Sequence, residues 1–252
     1  MPELHCQILG KGRPLILLHG WGWHSGIFNP LIPYLQENFQ LFLIDLPGFG
    51  KSPLLSEDYD IHAISAAILK IAPPEAIFAG WSLGGMIAWF IALHHPGRVA
   101  HLVTIASSPK WVSDHDWPGV SAPTLDQFSR CLIQDTQKTL RDFLALQWRG
   151  ASKNPETIDR LNQQIIASSS SVPALSGGLK LLRELDLRPT RSTLHCPSLH
   201  ILGSHDTLVP VSIIEKMRPF MPHATFSIIR RAGHMPFLSH SELFLQTLRE
   251  FL

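Results

Sequence analysis

Cysteine is scarce in this 252-residue chain, and it is unpaired by count. Cys6, Cys131 and Cys196 are odd in number and far apart. That excludes a disulfide framework and reads as reduced thiols. Charge of one sign is also missing: 21 basic residues stand against 20 acidic ones. Nothing in that balance draws the chain to nucleic acid or to an anionic membrane. No stretch approaches the roughly 18 uninterrupted apolar residues of a membrane span. The opening Met-Pro-Glu-Leu-His-Cys lacks a basic region followed by an apolar one, so no signal peptide is expected and the location expected is cytoplasmic. There is no repeat, and no low-complexity tract beyond Ser168–Ser171. Metal-ligand spacing is absent too. His94 and His95 are adjacent on an expected helix, which points their rings apart. Gly48-Phe-Gly50 lacks the third glycine of a dinucleotide loop. No metal and no cofactor is expected.

What the chain does have is alternation. With 45% hydrophobic residues it can build one large domain, or a core plus a lobe. Apolar runs that read as buried strands occur at Leu15–Leu18, Gln40–Ile44, Ala76–Ala79 and Leu102–Ala106. Between them lie expected helices at Gly26–Leu35, Ile61–Ile71 and Met86–Leu93. Continuous apolar strands alternating with helices imply a mostly parallel sheet covered on both faces. From about Lys110 to Pro189 the pattern changes. Amphipathic stretches appear at Leu125–Ile133, Thr136–Gln147 and Ile158–Ala167, and no buried strand. Alternation then resumes with a strand at Ser198–Leu202, a helix at Ser212–Arg218, a strand at Thr225–Ile229 and a terminal helix at His240–Leu252. The expected fold is therefore α/β, with core segments 1–109 and 190–252 and a helical insertion at 110–189.

Between the third apolar strand and its helix stands Gly80-Trp81-Ser82-Leu83-Gly84. Strand, Gly-x-Ser-x-Gly, helix is the sharp turn that exposes a nucleophilic serine at a sheet edge. Small residues are needed at Gly80 and Gly84 because strand and helix crowd the turn. A serine hydroxyl is a poor nucleophile until an imidazole takes its proton, and a carboxylate fixes that imidazole's tautomer. His234 lies just after the last expected strand, and Asp206 just after the one before it. Both fall where open parallel sheets bind ligands. Ser82, Asp206 and His234 are the candidate catalytic set. His205 is the competing histidine, and its neighbour Asp206 is preferred. The backbone N–H groups of Leu83, at the helix start, and Trp21, in His19-Gly20-Trp21-Gly22-Trp23, are the candidate oxyanion donors. His19 reads as a structural brace of that loop. Trp21 and Trp81 flank the serine and are expected to wall the pocket.

These residues together, with Asp45-Leu-Pro-Gly-Phe-Gly50, resemble the α/β-hydrolase superfamily over the full length of the chain. A closer resemblance rests on His19–Gly22, Gly80–Gly85, Ala106–Pro109, Trp117–Gly119, Phe143–Gln147 and Gly177–Leu179 followed by Asp186–Arg188. These match the pimeloyl-[acyl-carrier protein] methyl ester esterase family. That resemblance implies a four-helix cap, and hydrolysis of the methyl ester of a carrier-bound pimeloyl chain in biotin synthesis. It also implies a cytosolic monomer without cofactor. It assigns Ser82, Asp206 and His234 as the triad, with the N–H groups of Trp21 and Leu83 as oxyanion donors. A lid lined by Trp111, Phe128, Phe143 and Leu146 would shelter the acyl chain. Basic cap residues, mostly arginine in that family, would face the acidic carrier. Here Lys138 falls at one such place. Arg141, Lys153 and Arg160 are the other candidates, although interleaved acidic residues blur the alignment. Two other functions remain open on the same residues. One is a general short-chain esterase or carbon–carbon bond hydrolase. The other is a non-catalytic ligand-binding protein of this fold.

Overall fold

The computed structural model describes residues 3–147, 170–188 and 194–252. Seven strands form one sheet: β1 (Cys6–Leu9), β2 (Arg13–Leu18), β3 (Phe39–Ile44), β4 (Ala76–Trp81), β5 (Val99–Ile105), β6 (Ser198–Gly203) and β7 (Thr225–Ile229), in the order β1-β3-β2-β4-β5-β6-β7. All neighbours are parallel except β1, which runs antiparallel to β3 at the edge. The sequence reading did not contain β1. It is four residues long with a half-exposed pattern, too short and too mixed to show a period.

Strand alternation splits the interior in two. Along β2, Ile16 and Leu18 face one core and Leu15 and Leu17 the other. The first core is covered by the helices Ile61–Ile71 and Leu83–His94, the second by the C-terminal helix Ser241–Phe251. Leu83–His94 is apolar nearly all round, and every residue from Leu83 to Ala92 is buried. A helix of that composition belongs inside. Asp60 accepts from the Ala63 N–H at 2.8 Å and so starts the helix Ile61–Ile71. The helix expected at Gly26–Leu35 is instead a 3₁₀ stretch, Ser25–Leu31, followed by a short α-helix, Ile32–Leu35. Pro30 and Pro33 remove the amide donors that one continuous α-helix would need.

Between Lys110 and Arg188 the described residues add no strand to the sheet. They form the helices Ala122–Gln134, Thr136–Gln147 and Val172–Glu184. The expected helix at Ile158–Ala167 lies outside the described residues. Val172–Glu184 was not anticipated as a helix, since Gly177 and Gly178 interrupt it and glycine weakens a helix by about 1 kcal/mol each. Contact explains them. A Cβ on Gly177 would collide with Tyr59, and one on Gly178 would sit 2.7 Å from Cδ1 of Trp21. The two ends of this segment are tied together. Lys110 pairs with Asp186 in a backbone bridge, Leu187 N–H donates to Pro109 O at 2.8 Å, and Lys110 Nζ lies 3.2 Å from the Asp186 carboxylate.

Candidate active site

Ser82 sits between β4 and the helix Leu83–His94 with φ 54° and ψ −118°, a conformation that side chains rarely adopt. Neighbouring bonds hold it there. Ser82 N–H donates to Ile105 O at 2.9 Å, and Ser107 Oγ–H donates to Ser82 O at 2.7 Å. Cβ atoms at Gly80 and Gly84 would strike the backbone of Gly84 and Leu18. The turn therefore accepts only glycine at both places.

The sheet edge brings the distant partners in. His234 Nε2 lies 3.0 Å from Ser82 Oγ, and His234 Nδ1 lies 2.8 Å from Asp206 Oδ2. With Asp206 ionised, Nδ1 carries the hydrogen and donates to the carboxylate. Nε2 is left to accept from the serine hydroxyl. The other carboxylate oxygen accepts from the N–H groups of Leu208 at 2.8 Å and Val209 at 3.1 Å. All three side chains are buried. Asp206, not His205, makes the contact with His234.

The donor loop after β2 starts on a buried imidazole. His19 Nδ1–H donates to Gly20 O at 2.8 Å, and His19 Nε2 accepts from Leu46 N–H at 2.9 Å. Burial lowers its pKa to about 4. A neutral ring doing both jobs is a brace and not a base. Leu83 begins the helix beside Ser82, so its N–H is among the free donors of a helix start.

An apolar cavity of about 80 Å³ has a wall that includes Trp111, Phe128, Phe143, Leu146, Leu182 and Leu208; Ser82, Asp206 and His234 do not line it. The Trp111 ring stands 5.8 Å from the His234 ring, edge-on. The wall does not include Trp21 or Trp81, which the sequence reading placed in it. Trp21 stands behind Phe128 and Phe143, with ring centroids 5.5 Å and 5.0 Å away. Trp81 turns toward the opposite core, where it packs on Trp23 and Phe237 and donates its Nε1–H to His234 O at 2.8 Å. Side chains alternate along β4, and this alternation carries Trp81 to the far face.

Of the basic candidates, Lys138 is exposed but ion-paired with Asp142 at 2.6 Å. Arg141 is exposed and makes no ion pair among the described residues. Lys153 and Arg160 lie outside the described residues. Among those residues, no group of three or more His, Cys, Asp or Glu is placed to hold a metal ion. No described helix is long and apolar enough to cross a membrane.

Sequence reasoning missed Ser107, Trp23 and Gln147. Gln147 alone left a signal. It is a polar residue in register with Leu140, Phe143 and Leu144 on the buried face of its helix.

Comparison with known proteins places this geometry. Residues 13–241 match the family model for the alpha/beta hydrolase fold. A pimeloyl-[acyl-carrier protein] methyl ester esterase of Edwardsiella ictaluri is 40% identical over 253 residues, 100% of this chain and 98% of that one. One from Legionella pneumophila is 35% identical over 251 residues, 99% of each chain. Among solved structures, an esterase from Exiguobacterium antarcticum superposes with a TM-score of 0.87 at 22% identity, covering 98% of this chain and 94% of that one. The chain belongs to the α/β-hydrolase fold family, in the group formed by the pimeloyl-[acyl-carrier protein] methyl ester esterases.

Proposed function

We propose that the protein is a serine carboxylesterase that removes the methyl group from a pimeloyl methyl ester carried on an acyl carrier protein, as a step of biotin synthesis. The observation that supports the chemistry is the continuous relay from Ser82 through His234 to Asp206, with contacts of 3.0 Å and 2.8 Å. The substrate comes from the names of relatives that match from end to end. We further propose that residues 110–189 act as a cap on a core of residues 1–109 and 190–252. The working protein is then a cytoplasmic monomer that needs no cofactor.

Ser82 Oγ attacks the ester carbonyl carbon while His234 Nε2 takes its proton. The N–H groups of Leu83 and Trp21 receive the oxyanion. His234 then protonates the methoxy oxygen as the C–O bond breaks. Methanol leaves and an acyl-serine remains. Water attacks that ester by the same route in reverse order, with His234 as base, and frees the carboxylate. Asp206 stays ionised throughout and stabilises the imidazolium.

Trp111, Phe128, Phe143 and Leu146 shelter the chain's methylenes, each worth about 0.8 kcal/mol when buried. At about 80 Å³ the cavity is smaller than the roughly 300–1,000 Å³ of ordinary ligand pockets. The deciding experiment is a mass measurement on purified carrier-bound pimeloyl methyl ester. The expected result is a loss of one CH₂ unit that depends on Ser82. No loss, with free aryl esters still cleaved, would rule out this substrate.

A further inference from the structure

The loop after β2 carries two tryptophans around Gly22, whose φ is +76°. Both are buried, and both indoles hydrogen-bond to the helices that follow β5. Trp21 Nε1–H donates to Leu175 O at 2.8 Å, and Trp23 Nε1–H donates to the side-chain oxygen of Gln147 at 2.6 Å. Packing follows the same path. Phe143 meets Trp21 with ring centroids 5.0 Å apart. Leu140 lies under Gly22, and Leu144 shares a cluster with Trp23. Leu140, Phe143, Leu144 and Gln147 form one face of the helix Thr136–Gln147. That face therefore lies along the loop, and its one amide side chain is bonded to it. An amide in such a place is costly unless it is paired. Its Oε1 is paired, while Nε2 has no partner among the described residues.

We propose that Gln147 is a positioning residue which, through Trp23, sets the path of this loop so that the Trp21 N–H meets the oxyanion. The inference rests on the esterase reading above, in which that N–H is the second donor. The Trp21 N–H lies in the same peptide plane as Gly20 O, and that oxygen accepts from His19 Nδ1–H at 2.8 Å and from Trp23 N–H at 3.3 Å, so the seat of Trp23 helps to orient the donor. An oxyanion donor must stand about 2.7–3.1 Å from the developing charge, and a misplacement near 1 Å can cost 10²-fold. The indole bonds of Trp21 and Trp23 anchor the chain just after that N–H and supply that precision, and both acceptors, Leu175 O and Gln147 Oε1, lie in the cap. Seating of the cap and completion of the oxyanion hole are thereby one event.

The test is steady-state hydrolysis of p-nitrophenyl butyrate by the full-length protein and its Gln147→Met, Gln147→Glu and Trp23→Phe variants. Methionine keeps the length and removes the acceptor, whereas glutamate keeps an oxygen for the indole. Gln147→Met is expected to lower kcat about tenfold with KM within about twofold, a fraction of the 10²–10³ lost with a whole donor. Gln147→Glu is expected to retain at least about half of kcat. Affinity for a trifluoromethyl ketone, which needs the same hole, should fall by the same factor as kcat. If Gln147→Met does not fold, Trp23→Phe removes the same bond from the core side and should show the same loss of kcat. Unchanged kcat in the folded variants would overturn the proposal. So would equal losses in Met and Glu, or a loss carried by KM. Hydrolysis that survives Ser82→Ala in the parent would instead overturn the esterase reading itself, whatever Gln147 does.

Discussion

The indole N–H of Trp81 donates to the carbonyl oxygen of His234 across 2.8 Å. The residue before the proposed nucleophile thus holds the backbone of the proposed base, which lies 152 positions beyond Ser82. Trp81→Phe keeps the ring and removes the donor. Leaving a buried carbonyl unpaired costs about 1–3 kcal/mol, and the His234 loop gains freedom. The expected result is a lower melting temperature and a kcat reduced about tenfold on a small aryl ester, with KM little changed. A variant with parental kcat would show that the loop is held by other contacts.

Ser82→Ala should abolish hydrolysis with the fold intact. Losses of a triad member run on the order of 10⁴ to 10⁶ in turnover. His234→Ala should be nearly as damaging, and Asp206→Asn somewhat less, because an unassisted imidazole still accepts a proton weakly. His205→Ala should be close to neutral, since its neighbour makes the contact. The measurement is kcat on an aryl ester with active serine titrated by a phosphonate. A greater loss from His205→Ala than from Asp206→Asn would reverse that assignment.

Acid should unfold this protein through its buried imidazoles. Burial lowers the His19 pKa from 6.5 to about 4, and that of His200 from 6.5 to about 3. Below pH 6.5 the unfolded chain binds protons that these sites refuse. Their stability contribution is complete above pH 6.5 and is lost as pH falls toward the folded values. For His19 alone the loss between pH 7 and pH 5 is about 2 kcal/mol. Urea unfolding at pH 7, 6 and 5 should show that slope, and His19→Asn should reduce it to the part that His200 supplies. A flat parental profile over this window would mean that the rings protonate without cost.

Docking of an acidic carrier should depend on positive charge on the cap. Arg141 is the better test than Lys138, whose charge is met by Asp142 at 2.6 Å. Arg141→Glu is expected to slow hydrolysis of the carrier-bound ester several-fold while p-nitrophenyl butyrate is cleaved at the parental rate. The defect should shrink with added salt. Lys138→Glu alone should do less. Adding Lys153→Glu and Arg160→Glu should deepen the loss. Equal loss on both substrates would indicate a damaged cap instead.

The parallel sheet, the turn at Ser82 and the pairing of Asp206 with His234 were legible in the residues alone. Those features follow from local chemistry. Long apolar runs have only one way to be buried, and Gly80 is forced by the backbone of Gly84 in the same turn. Residues placed just after strands must share the sheet's carboxyl edge, so the triad could be read without contacts. The rest was set by contacts between segments far apart in the chain. β1 is too short to show a period and exists because β3 offers it an edge. The helix Val172–Glu184 keeps two glycines that propensity disfavours, because Tyr59 and Trp21 lie where side chains would be. Trp81 turned from the pocket wall to the far core, since pleat direction is fixed by the sheet and not by nearness to the serine. The bond from Trp23 to Gln147 joins residues 124 positions apart. No local pattern specifies such a partner, because it is chosen by where two separately folded segments come to rest.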